Sequence, residues 1–393
     1  MEQAPNLTRI PAGVQNAALQ TARPLSQARH LPAYFYTSPE VFALEKEKIF
    51  GRDWMLIGRV EELEQPGSYL TFKIAGEPIL VCRTQAGELK AFSNVCRHRG
   101  TQVAFGQPDS SAAFCAGNAR SFSCPYHGWT YDLTGKLVGA PHTQSMEGFD
   151  RANYSLVPLK LDTWAGFLFV NLDSSARPLA DTLEEMDFLK TYEPYHYENF
   201  RLGSKFSFSL DCNWKFANEN LVDIYHIAVL HVQTFGPWQP LESYEFRPVR
   251  GGYHGYFKGG TLAPGGKSLF GTIPWISGKL AEGGYSSHLR PNVAWFPRHD
   301  FHCVMTVWPG STPEKTVGIS YQLFPKQHLE LPDFKERVRS YDDFLKEFLG
   351  EDITMITALQ QGVSSRYYAP GPMSSYEVAI HSLANYYLEC LER

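Results

Sequence analysis

Two short segments each place a cysteine and a histidine where both side chains can bind one metal centre. Cys96 and His98 are two residues apart, and Cys124 and His127 are three residues apart. Two cysteines and two histidines suit either Zn²⁺ or an iron–sulfur cluster in which both imidazoles bind one iron. Zinc fingers usually group their cysteines before their histidines, whereas each segment here is mixed. The four residues therefore predict a metal centre, and their mixed order favours the cluster over a zinc-stabilised binding module.

Two more candidate ligands, His226 and His231, lie in a segment that is predicted to be helical from Trp214 to Leu230. Residues five apart on a regular helix are about 140° apart around its axis, so an undistorted helix cannot point both imidazoles at one metal. If the two histidines share a metal, the helix must bulge or end between them. Asp223 is three residues before His226 and is expected on the same helix face. The alternative for Asp223 is an exposed aspartate with no role at the site.

A carboxylate that completes this second site must come from another segment. Asp352 lies within the apolar stripe of a helix predicted over residues 333–361, where an unpaired carboxylate would be costly to bury. Glu351 lies about 100° around the same helix, off the centre of the stripe. Helix phase therefore favours Asp352 over Glu351 as the third ligand. In the alternative interpretation the helix breaks at Gly350, and both acids lie in the first turn of the helix that follows. The stripe consists of Leu345, Phe348, Leu349, Met355, Ile356 and Leu359.

The elements that must position these residues form two kinds of structure. Residues 54–170 consist of short β-type runs separated by glycine turns, which predict a small antiparallel β-domain around both cysteine–histidine segments. Residues 171–393 combine helices with alternating runs, which predict a larger antiparallel sheet. Residues 1–53 predict an arm followed by a helix over residues 39–50, because Ser38 is a good cap and proline follows it.

Together these motifs resemble those of Rieske non-haem iron oxygenases, in their alpha (oxygenase) subunits. The stretches NVCRHRG and CPYHGWTYDLTGKL resemble the two cluster loops, and DCNWKFANENLVDIYHIAVLH resembles the mononuclear-iron motif. The resemblance covers the chain from about Tyr34 to Leu383. It implies an α+β fold in which an antiparallel β Rieske domain (54–170) is inserted in a helix-grip-like catalytic domain, with an antiparallel sheet and covering helices, formed by residues 1–53 and 171–393.

The resemblance also implies the cofactors and their ligands. Two imidazoles and one carboxylate bind Fe(II) on one face and leave the opposite positions open for O₂. The family's carboxylate lies in an acidic Glu-Asp pair like the one found here. The implied ligands are Cys96, His98, Cys124 and His127 for one [2Fe–2S] cluster, and His226, His231 and Asp352 for one mononuclear Fe(II).

Asp223 occupies the position of the family's electron-transfer bridge. In the family, a carboxylate at this position connects an iron-binding histidine of one subunit to a cluster histidine of its neighbour. The resemblance therefore implies a head-to-tail homotrimer. It also implies that Asp223 contacts His226 and the partner subunit's His127. Asn220, one turn earlier, is a candidate for a supporting position at the same site, and the alternative for it is an exposed helix amide. The chain length favours a trimer without a beta subunit.

The implied activity is that of a terminal oxygenase, which uses O₂ to hydroxylate or dihydroxylate a small organic substrate. The aromatic fraction of 14% favours an apolar aromatic substrate, as in aromatic hydrocarbon catabolism. Quaternary-amine oxygenases of this family tend to carry glutamate at the bridging position, so Asp223 argues against that class. The alternatives are a monooxygenase that carries out oxidative O- or N-dealkylation, and an electron-transfer Rieske protein, which would need only residues 54–170.

The sequence also indicates the partners and the compartment. It contains no GxGxxG segment, so NAD(P)H is expected to act only through a partner reductase, with or without a ferredoxin. The net charge of −5 gives no basic surface for nucleic acid. There is no run of 18 apolar residues and no signal-peptide pattern at the N-terminus, and the seven cysteines are scattered. These features predict a cytoplasmic protein without structural disulfides.

One feature departs from the family pattern. The 25 residues between His98 and Cys124 exceed the usual spacing and indicate an insertion that contains Cys115, which we expect to be an ordinary thiol. His299 and His302 form another closely spaced histidine pair. They are not expected to share a metal, because residues three apart on a strand point to opposite faces.

Overall fold

The computed structural model describes residues 10–108 and 114–392, with only the backbone of residues 107–108. The chain forms two compact units: the small unit is Phe50–Leu179, and the large unit combines Met1–Ile49 with Ala180–Arg393. The small unit is thus inserted in the sequence of the large one. The first nine residues of the predicted arm and residues 109–113 of the predicted insertion lie outside the described residues.

The small unit contains two antiparallel sheets. In the eight-stranded sheet the order is β1-β11-β10-β4-β3-β2-β6-β5, and the other sheet has the order β7-β8-β9. The insertion after His98 adds the hairpin of β5 and β6 to the edge of β2. The strands are β1 Met55–Arg59, β2 Ser68–Ile74, β3 Glu77–Arg83, β4 Leu89–Ser93, β5 Gln107–Pro108, β6 Cys115–Asn118, β7 Phe122–Ser123, β8 Thr130–Tyr131, β9 Leu137–Gly139, β10 Pro158–Trp164 and β11 Phe167–Asn171.

The large unit contains one seven-stranded antiparallel sheet with the order β12-β18-β17-β16-β15-β14-β13. Six strands follow each other along the chain, and β12, which precedes them, pairs with the last one. This confirms the predicted larger antiparallel sheet. The strands are β12 Phe200–Leu210, β13 Glu245–Val249, β14 Gly252–Lys258, β15 Gly283–Leu289, β16 Val293–Pro297, β17 His302–Pro309 and β18 Thr316–Pro325.

Helices of very different lengths accompany this sheet. The α-helices are α1 Ala12–Thr21, α2 Tyr34–Thr37, α3 Pro39–Glu45, α4 Leu179–Glu185, α5 Phe188–Tyr192, α6 Trp214–Val222, α7 Ile227–Leu230, α8 Lys279–Glu282, α9 Phe334–Val363 and α10 Val378–Glu392. Single 3₁₀ turns are Leu25–Gln27, Val60–Leu63, Arg151–Tyr154, Glu193–Tyr195, Tyr197–Asn199, Gly236–Trp238, Leu241–Ser243, Pro264–Gly266 and Lys326–Glu330. In the described ranges, none of these helices combines the length and the apolar character that crossing a membrane requires.

The predicted helix start at Ser38 is confirmed. The Ser38 hydroxyl accepts hydrogen bonds from the backbone N–H groups of Glu40 and Val41, which would otherwise have no partner in the first turn. After α3 the helix continues as a π-helical turn over Lys46–Phe50. The helical segment therefore covers the predicted residues, with wider hydrogen bonding in its last turn.

The long helix α9 is also confirmed, with one correction to its apolar stripe. Most members of the stripe are buried, but Met355 and Leu359 are 48% and 46% exposed. They are exposed because they line a groove on the surface of the large unit. The helix runs through Gly350 without a break, so the interpretation of Glu351 and Asp352 as first-turn residues is wrong.

Candidate metal centres

The two cysteine–histidine segments form loops with the same backbone hydrogen bonds. In each loop the backbone N–H of the cysteine donates to the carbonyl oxygen of the residue five positions later, at 2.8 Å. The N–H of the residue four positions after the cysteine donates to the cysteine carbonyl oxygen, at 3.0 Å. The residue four positions after the cysteine is Gly100 in one loop and Gly128 in the other, with φ of +82° and +71°. A side chain is strained in this left-handed region, so glycine allows the chain to close each loop tightly.

These loops present sulfur on the inside and imidazole on the outside. Cys96 and Cys124 are each 3% exposed, whereas His127 is exposed and His98 is partly exposed. Nδ1 of His98 lies 3.1 Å from Nδ1 of His127. Two nitrogen ligands bound to a tetrahedral ion at about 2.1 Å lie about 3.4 Å apart. The two Nδ1 atoms are therefore placed to bind one ion, with both thiols on the buried side.

Tyr131 supports the first loop, and the sequence analysis did not identify it. Its fully buried hydroxyl accepts a hydrogen bond from the Arg97 N–H at 3.0 Å and lies 3.4 Å from Sγ of Cys96. Burial and the hydrogen bond to Cys96 raise the pKa of Tyr131, so the hydroxyl keeps its proton and can donate it to a thiolate. The adjacent Trp129 ring stacks on the His98 imidazole, with 5.1 Å between their centroids.

The structure brings together His226, His231 and Asp352 in the large unit. The two Nε2 atoms are 3.2 Å apart, and Oδ1 of Asp352 lies 3.1 Å from Nε2 of His231 and 3.4 Å from Nε2 of His226. Ligand atoms at right angles around a metal, each about 2.1 Å from it, are about 3.0 Å apart. The three atoms thus fit one face of a six-coordinate ion, which is the pattern that suits Fe(II) in oxygenases.

The backbone break that makes this possible is not where the sequence predicted it. Helix α6 ends at Val222, and Asp223 has an extended backbone with φ −72° and ψ 119°. The four-residue helix α7 then separates His226 from His231. The predicted continuous helix to Leu230 is therefore wrong. The chain changes direction before the first histidine, and both imidazoles turn inward from the ends of a single helical turn.

Each histidine is held from its far side by a carboxylate. Nδ1 of His226 lies 2.9 Å from Oδ2 of Asp223, and Nδ1 of His231 lies 2.6 Å from Oε2 of Glu351. A carboxylate at Nδ1 fixes the proton there and leaves Nε2 free to bind a metal. Burial lowers the pKa of His226, but its bonds to Asp223 and Asp352 outweigh burial and raise it to about 9.

Further hydrogen bonds orient these carboxylates. The Thr234 hydroxyl donates to Oε2 of Glu351 at 2.9 Å, and Nδ2 of Asn220 donates to Oδ1 of Asp352 at 3.2 Å. Asn220 thus contacts a candidate iron ligand, as expected for a residue that supports this site. Sequence reasoning did not find the supporting roles of Glu351 and Thr234. The two adjacent acids, Glu351 and Asp352, were a signal that both could lie at the site. Helix phase alone favoured Asp352 and assigned no role to Glu351.

Burial and hydrogen bonding act in opposite directions on the third carboxylate. Burial raises the pKa of Asp352, yet the hydrogen bonds from His226 and His231 outweigh it and hold this pKa below its ordinary value. The side chain is 5% exposed. Asp352 is therefore an ionised carboxylate in a buried position, as a metal ligand must be.

A small cavity adjoins the three residues on one side, and we call it the inner cavity. Its volume is about 60 Å³. It is lined mainly by apolar and aromatic side chains, among them Phe235, Leu262, Phe296 and Met305, and by the polar Gln239, Tyr253, Ser286 and Arg298. All of these belong to the large unit, as do the three candidate ligands in the same wall.

A larger depression, which we call the outer groove, lies on the surface of the large unit. Its volume is about 590 Å³, and His226 and Asp223 line both it and the inner cavity. Exposed apolar residues form part of its wall: Val229, Met355 and Leu359 are 78%, 48% and 46% exposed. Asp223 is thus reachable from the surface while it holds an imidazole at the site.

The remaining candidates lie elsewhere. Cys115 is half-buried on β6, opposite Thr71 of β2. His302 is buried among the rings of Tyr195 and Phe200, with centroid distances of 4.5 and 4.4 Å. Neither of its ring nitrogens has a hydrogen-bond partner among the described residues.

Comparison with known families matches most of the chain. Residues 189–393 match the family model of the ring hydroxylating alpha subunit (catalytic domain), and residues 53–155 match the Rieske [2Fe–2S] domain. The chain is 30% identical to the carnitine monooxygenase oxygenase subunit of Acinetobacter pittii over 343 residues, 86% of each chain. It is 28% identical to the glycine betaine monooxygenase oxygenase subunit of Pseudomonas aeruginosa, covering 91% of this chain and 88% of that one.

Solved structures show the same fold. A quaternary ammonium Rieske monooxygenase superposes with a TM-score of 0.78 and 27% identity, covering 95% of this chain and 98% of that chain. The similarity therefore extends over both units and over both candidate metal centres.

Proposed function

The chain belongs to the Rieske oxygenase alpha subunits, and we propose that it is a terminal monooxygenase that oxidises a small quaternary ammonium compound. Its family makes it an oxidoreductase that incorporates oxygen from O₂, with a Rieske [2Fe–2S] cluster and a mononuclear iron. Members of this family receive their electrons from a partner reductase or ferredoxin.

We assign the mononuclear iron to His226, His231 and Asp352. The observation that carries this assignment is the set of distances of 3.1 to 3.4 Å among their three ligand atoms. Iron bound on such a face supplies the activation of O₂, because its opposite positions stay open. Asp223 and Glu351 hold the two imidazoles in the tautomer that presents Nε2.

We assign the cluster to the two loops of the small unit. The buried thiols of Cys96 and Cys124 and the outer imidazoles of His98 and His127 match a cluster with two sulfur ligands on one iron and two nitrogen ligands on the other. Exposure of the imidazoles places the outer side of the cluster within reach of an electron acceptor.

The expected apolar aromatic substrate, and with it a role in aromatic hydrocarbon catabolism, is not supported. The two relatives described above, which cover most of the chain, are named for carnitine and glycine betaine. They favour the alternative of a monooxygenase that carries out oxidative O- or N-dealkylation. The presence of Asp223 at the bridging position was an argument against quaternary amines, and the similarity over both units outweighs it.

The inner cavity supports a small substrate. Its volume of about 60 Å³ is several times the roughly 10–15 Å³ that one water molecule needs, so the cavity has room for a small molecule. In the expected reaction one oxygen atom enters a C–H bond of the substrate and the other leaves as water, with two electrons from the reductase and two protons.

We further propose a homotrimer without a beta subunit, in which Asp223 connects His226 to His127 of the partner subunit. The position of Asp223 supports this, since its carboxylate lies 2.9 Å from the imidazole and also lines the outer groove. The exposed apolar residues of the groove are suited to contact with another chain.

Oxygen consumption tests the proposal. Iron-loaded protein, a surrogate flavin reductase and NADH are mixed with glycine betaine, carnitine or naphthalene. We expect O₂ consumption and a hydroxylated or dealkylated product with a quaternary ammonium compound and none with naphthalene. The variant Asp352→Asn should keep the visible spectrum of the cluster and form no product. Formation of a cis-diol from naphthalene, or a reduced cluster with no substrate-dependent O₂ consumption, would contradict the proposal.

A further inference from the structure

The inner cavity contains a buried cation without an acidic partner. Arg298 lines the cavity and is 2% exposed. Its Nη1 donates to the carbonyl oxygens of Tyr285 and Pro297, but its Nε has no hydrogen-bond partner. Within residues 10–108 and 114–392, Arg298 forms no ion pair with a carboxylate within 4.0 Å. A buried charge is costly unless it is paired, and Asp300 stabilises the charge of Arg298 only from beyond salt-bridge distance, so the guanidinium can still accept an anion in direct contact.

Two further donors in the same cavity also lack partners. Gln239 is 1% exposed, and its Oε1 accepts a hydrogen bond from the Tyr244 hydroxyl at 3.0 Å, which leaves Nε2 without a partner. Tyr253 is fully buried, and its hydroxyl has no partner either. Burial raises the pKa of Tyr253, so it remains a neutral O–H donor. Three such donors line one cavity of about 60 Å³, where a ligand with several acceptor atoms could satisfy all of them.

We propose that Arg298, Gln239 and Tyr253 bind a carboxylate of the substrate. A carboxylate supplies the negative charge for the guanidinium and enough lone pairs for all three donors. The three candidate iron ligands line the same cavity, so the C–H bond to be oxidised would lie beside them. This inference rests on the proposed function for the role of those ligands and deepens it, because it makes the substrate a small carboxylate.

The charges along the cavity suit a zwitterion. Its lining includes the guanidinium of Arg298 and the carboxylates of Asp223 and Asp352. The ring of Phe235 stacks on the His231 imidazole, with centroids 4.3 Å apart, and also lines the cavity. An aromatic face favours a quaternary ammonium group, and the guanidinium repels it. The guanidinium therefore favours the orientation in which the carboxylate of such a substrate lies beside Arg298 and its ammonium group lies away from it.

A purely structural role for Arg298 explains less. Its guanidinium lies 4.6 Å from the centroid of the Phe257 ring, which stabilises the cation in part. Asp300 is close in sequence, but its oxygens accept hydrogen bonds from the hydroxyls of Thr261 and Tyr341. Neither contact accounts for the unpartnered atoms of Gln239 and Tyr253, whereas an anion in the cavity accounts for all three donors.

Binding of matched probes tests the inference without turnover. Isothermal titration calorimetry on anaerobic, iron-loaded protein compares glycine betaine with choline, which share a trimethylammonium group but end in a carboxylate and an alcohol. We expect glycine betaine to bind at least about ten-fold more tightly. In Arg298→Met its affinity should fall by about ten- to a hundred-fold, while the affinity for choline changes less than about two-fold. Arg298→Lys should retain part of the preference.

Two milder variants keep the test decisive if Arg298→Met does not fold. Tyr253→Phe and Gln239→Leu each remove one donor at nearly constant volume, and each should weaken glycine betaine binding by about three- to ten-fold. Far-ultraviolet circular dichroism and the cluster spectrum check that each variant is folded. The inference is overturned if wild type binds choline as tightly as glycine betaine, or if folded Arg298→Met binds glycine betaine as wild type does. It is also overturned if acetate, glycine betaine and benzoate all fail to bind.

The two proposals fail separately. A protein that binds glycine betaine through Arg298 but forms no oxygenated product with any tested compound contradicts only the proposed function. A protein that oxidises choline and glycine betaine with equal kcat/KM is an oxygenase without a carboxylate subsite.

Discussion

The carboxylate of Glu351 lies 2.6 Å from Nδ1 of His231, on the side of the ring opposite the atom that faces Asp352. Two adjacent acids of α9 thus contact the two nitrogens of one imidazole. Helix geometry allows this because side chains 100° apart can reach both edges of a ring that lies between them. The two acids have different roles: one supports the ligand, and the other is a candidate ligand itself.

The substitution Glu351→Gln should weaken the mononuclear iron site without abolishing it. The amide can still contact His231, but it removes the charge that makes the imidazole a stronger ligand. We expect iron to be lost about ten- to a hundred-fold more readily to a chelator, with the cluster spectrum unchanged. Glu347→Gln, at an exposed position one turn earlier on α9, is the matched control and should behave as wild type. Equal iron retention in all three proteins would exclude the supporting role.

The residues of α9 show how much of the site could be predicted from the sequence. The burial expected for Asp352 followed from helix phase alone, because a periodic stripe determines which positions face the interior. The same argument failed for Met355 and Leu359, which are exposed, since phase does not tell where the neighbouring elements end. It also failed for Glu351, whose partner His231 lies 120 residues away in sequence.

The end of α6 illustrates a second limit. The spacing of His226 and His231 required a break in the helix, but local propensity did not place it. The break lies at Asp223, where the backbone turns extended and the carboxylate accepts the Tyr225 N–H at 2.8 Å. An aspartate that bonds its own backbone competes with helix formation, a tendency that is only weakly visible in one sequence. By contrast, the cluster loops were identifiable because their ligands are local.

Asp223→Asn should lower the turnover of the enzyme more than its iron content. The amide can replace the carboxylate at Nδ1 of His226 but carries no charge, so the proposed route from cluster to iron is impaired. We expect the rate at which O₂ and substrate reoxidise the reduced cluster to fall by at least about ten-fold, measured by stopped-flow absorbance. Asp223→Glu should retain more of this rate. An unchanged reoxidation rate in Asp223→Asn would contradict the bridging role.

Mixed oligomers distinguish transfer between subunits from transfer within one. A chain with Asp223→Asn keeps its cluster, and a chain with Cys96→Ser keeps its mononuclear site. If electrons pass between subunits, co-assembled trimers of the two inactive chains should recover a fraction of wild-type turnover, measured as product per chain. No recovery, in trimers verified by mass, would contradict the head-to-tail arrangement.

Tyr131→Phe should lower the reduction potential of the cluster. The Tyr131 hydroxyl lies 3.4 Å from Sγ of Cys96, and with a cluster bound it would donate to the sulfur and stabilise the reduced, more negative form. Loss of a hydrogen bond of about 1 kcal/mol corresponds to about 40 mV for one electron. Redox titration followed by electron paramagnetic resonance measures this shift. Tyr126→Phe, at an exposed position in the second loop, is the control and should leave the potential unchanged.

His254 should make the large unit less stable in acid. Burial lowers the pKa of His254 to about 4, although Met186 O, 2.7 Å from Nε2, partly opposes this. The unfolded chain binds the proton near pH 6.5, so between pH 6.5 and about 4 it holds a proton that the folded chain does not. The free energy of unfolding therefore falls by about 1.4 kcal/mol per pH unit as pH decreases through this window. Above pH 6.5 this contribution to stability is fully present.

Urea unfolding at pH 7 and pH 5, followed by tryptophan fluorescence, measures this effect in wild type and in His254→Gln. The variant should be less stable at pH 7, because it loses the contacts to Ser287 and Met186. Between the two pH values wild type should lose about 2 kcal/mol more than the variant, since glutamine does not titrate. The other histidines, including those at the iron site, contribute equally to both proteins. His196→Gln, at an exposed position, is the control and should show the wild-type slope. Parallel losses in wild type and His254→Gln would show that His254 does not remain neutral in the folded protein.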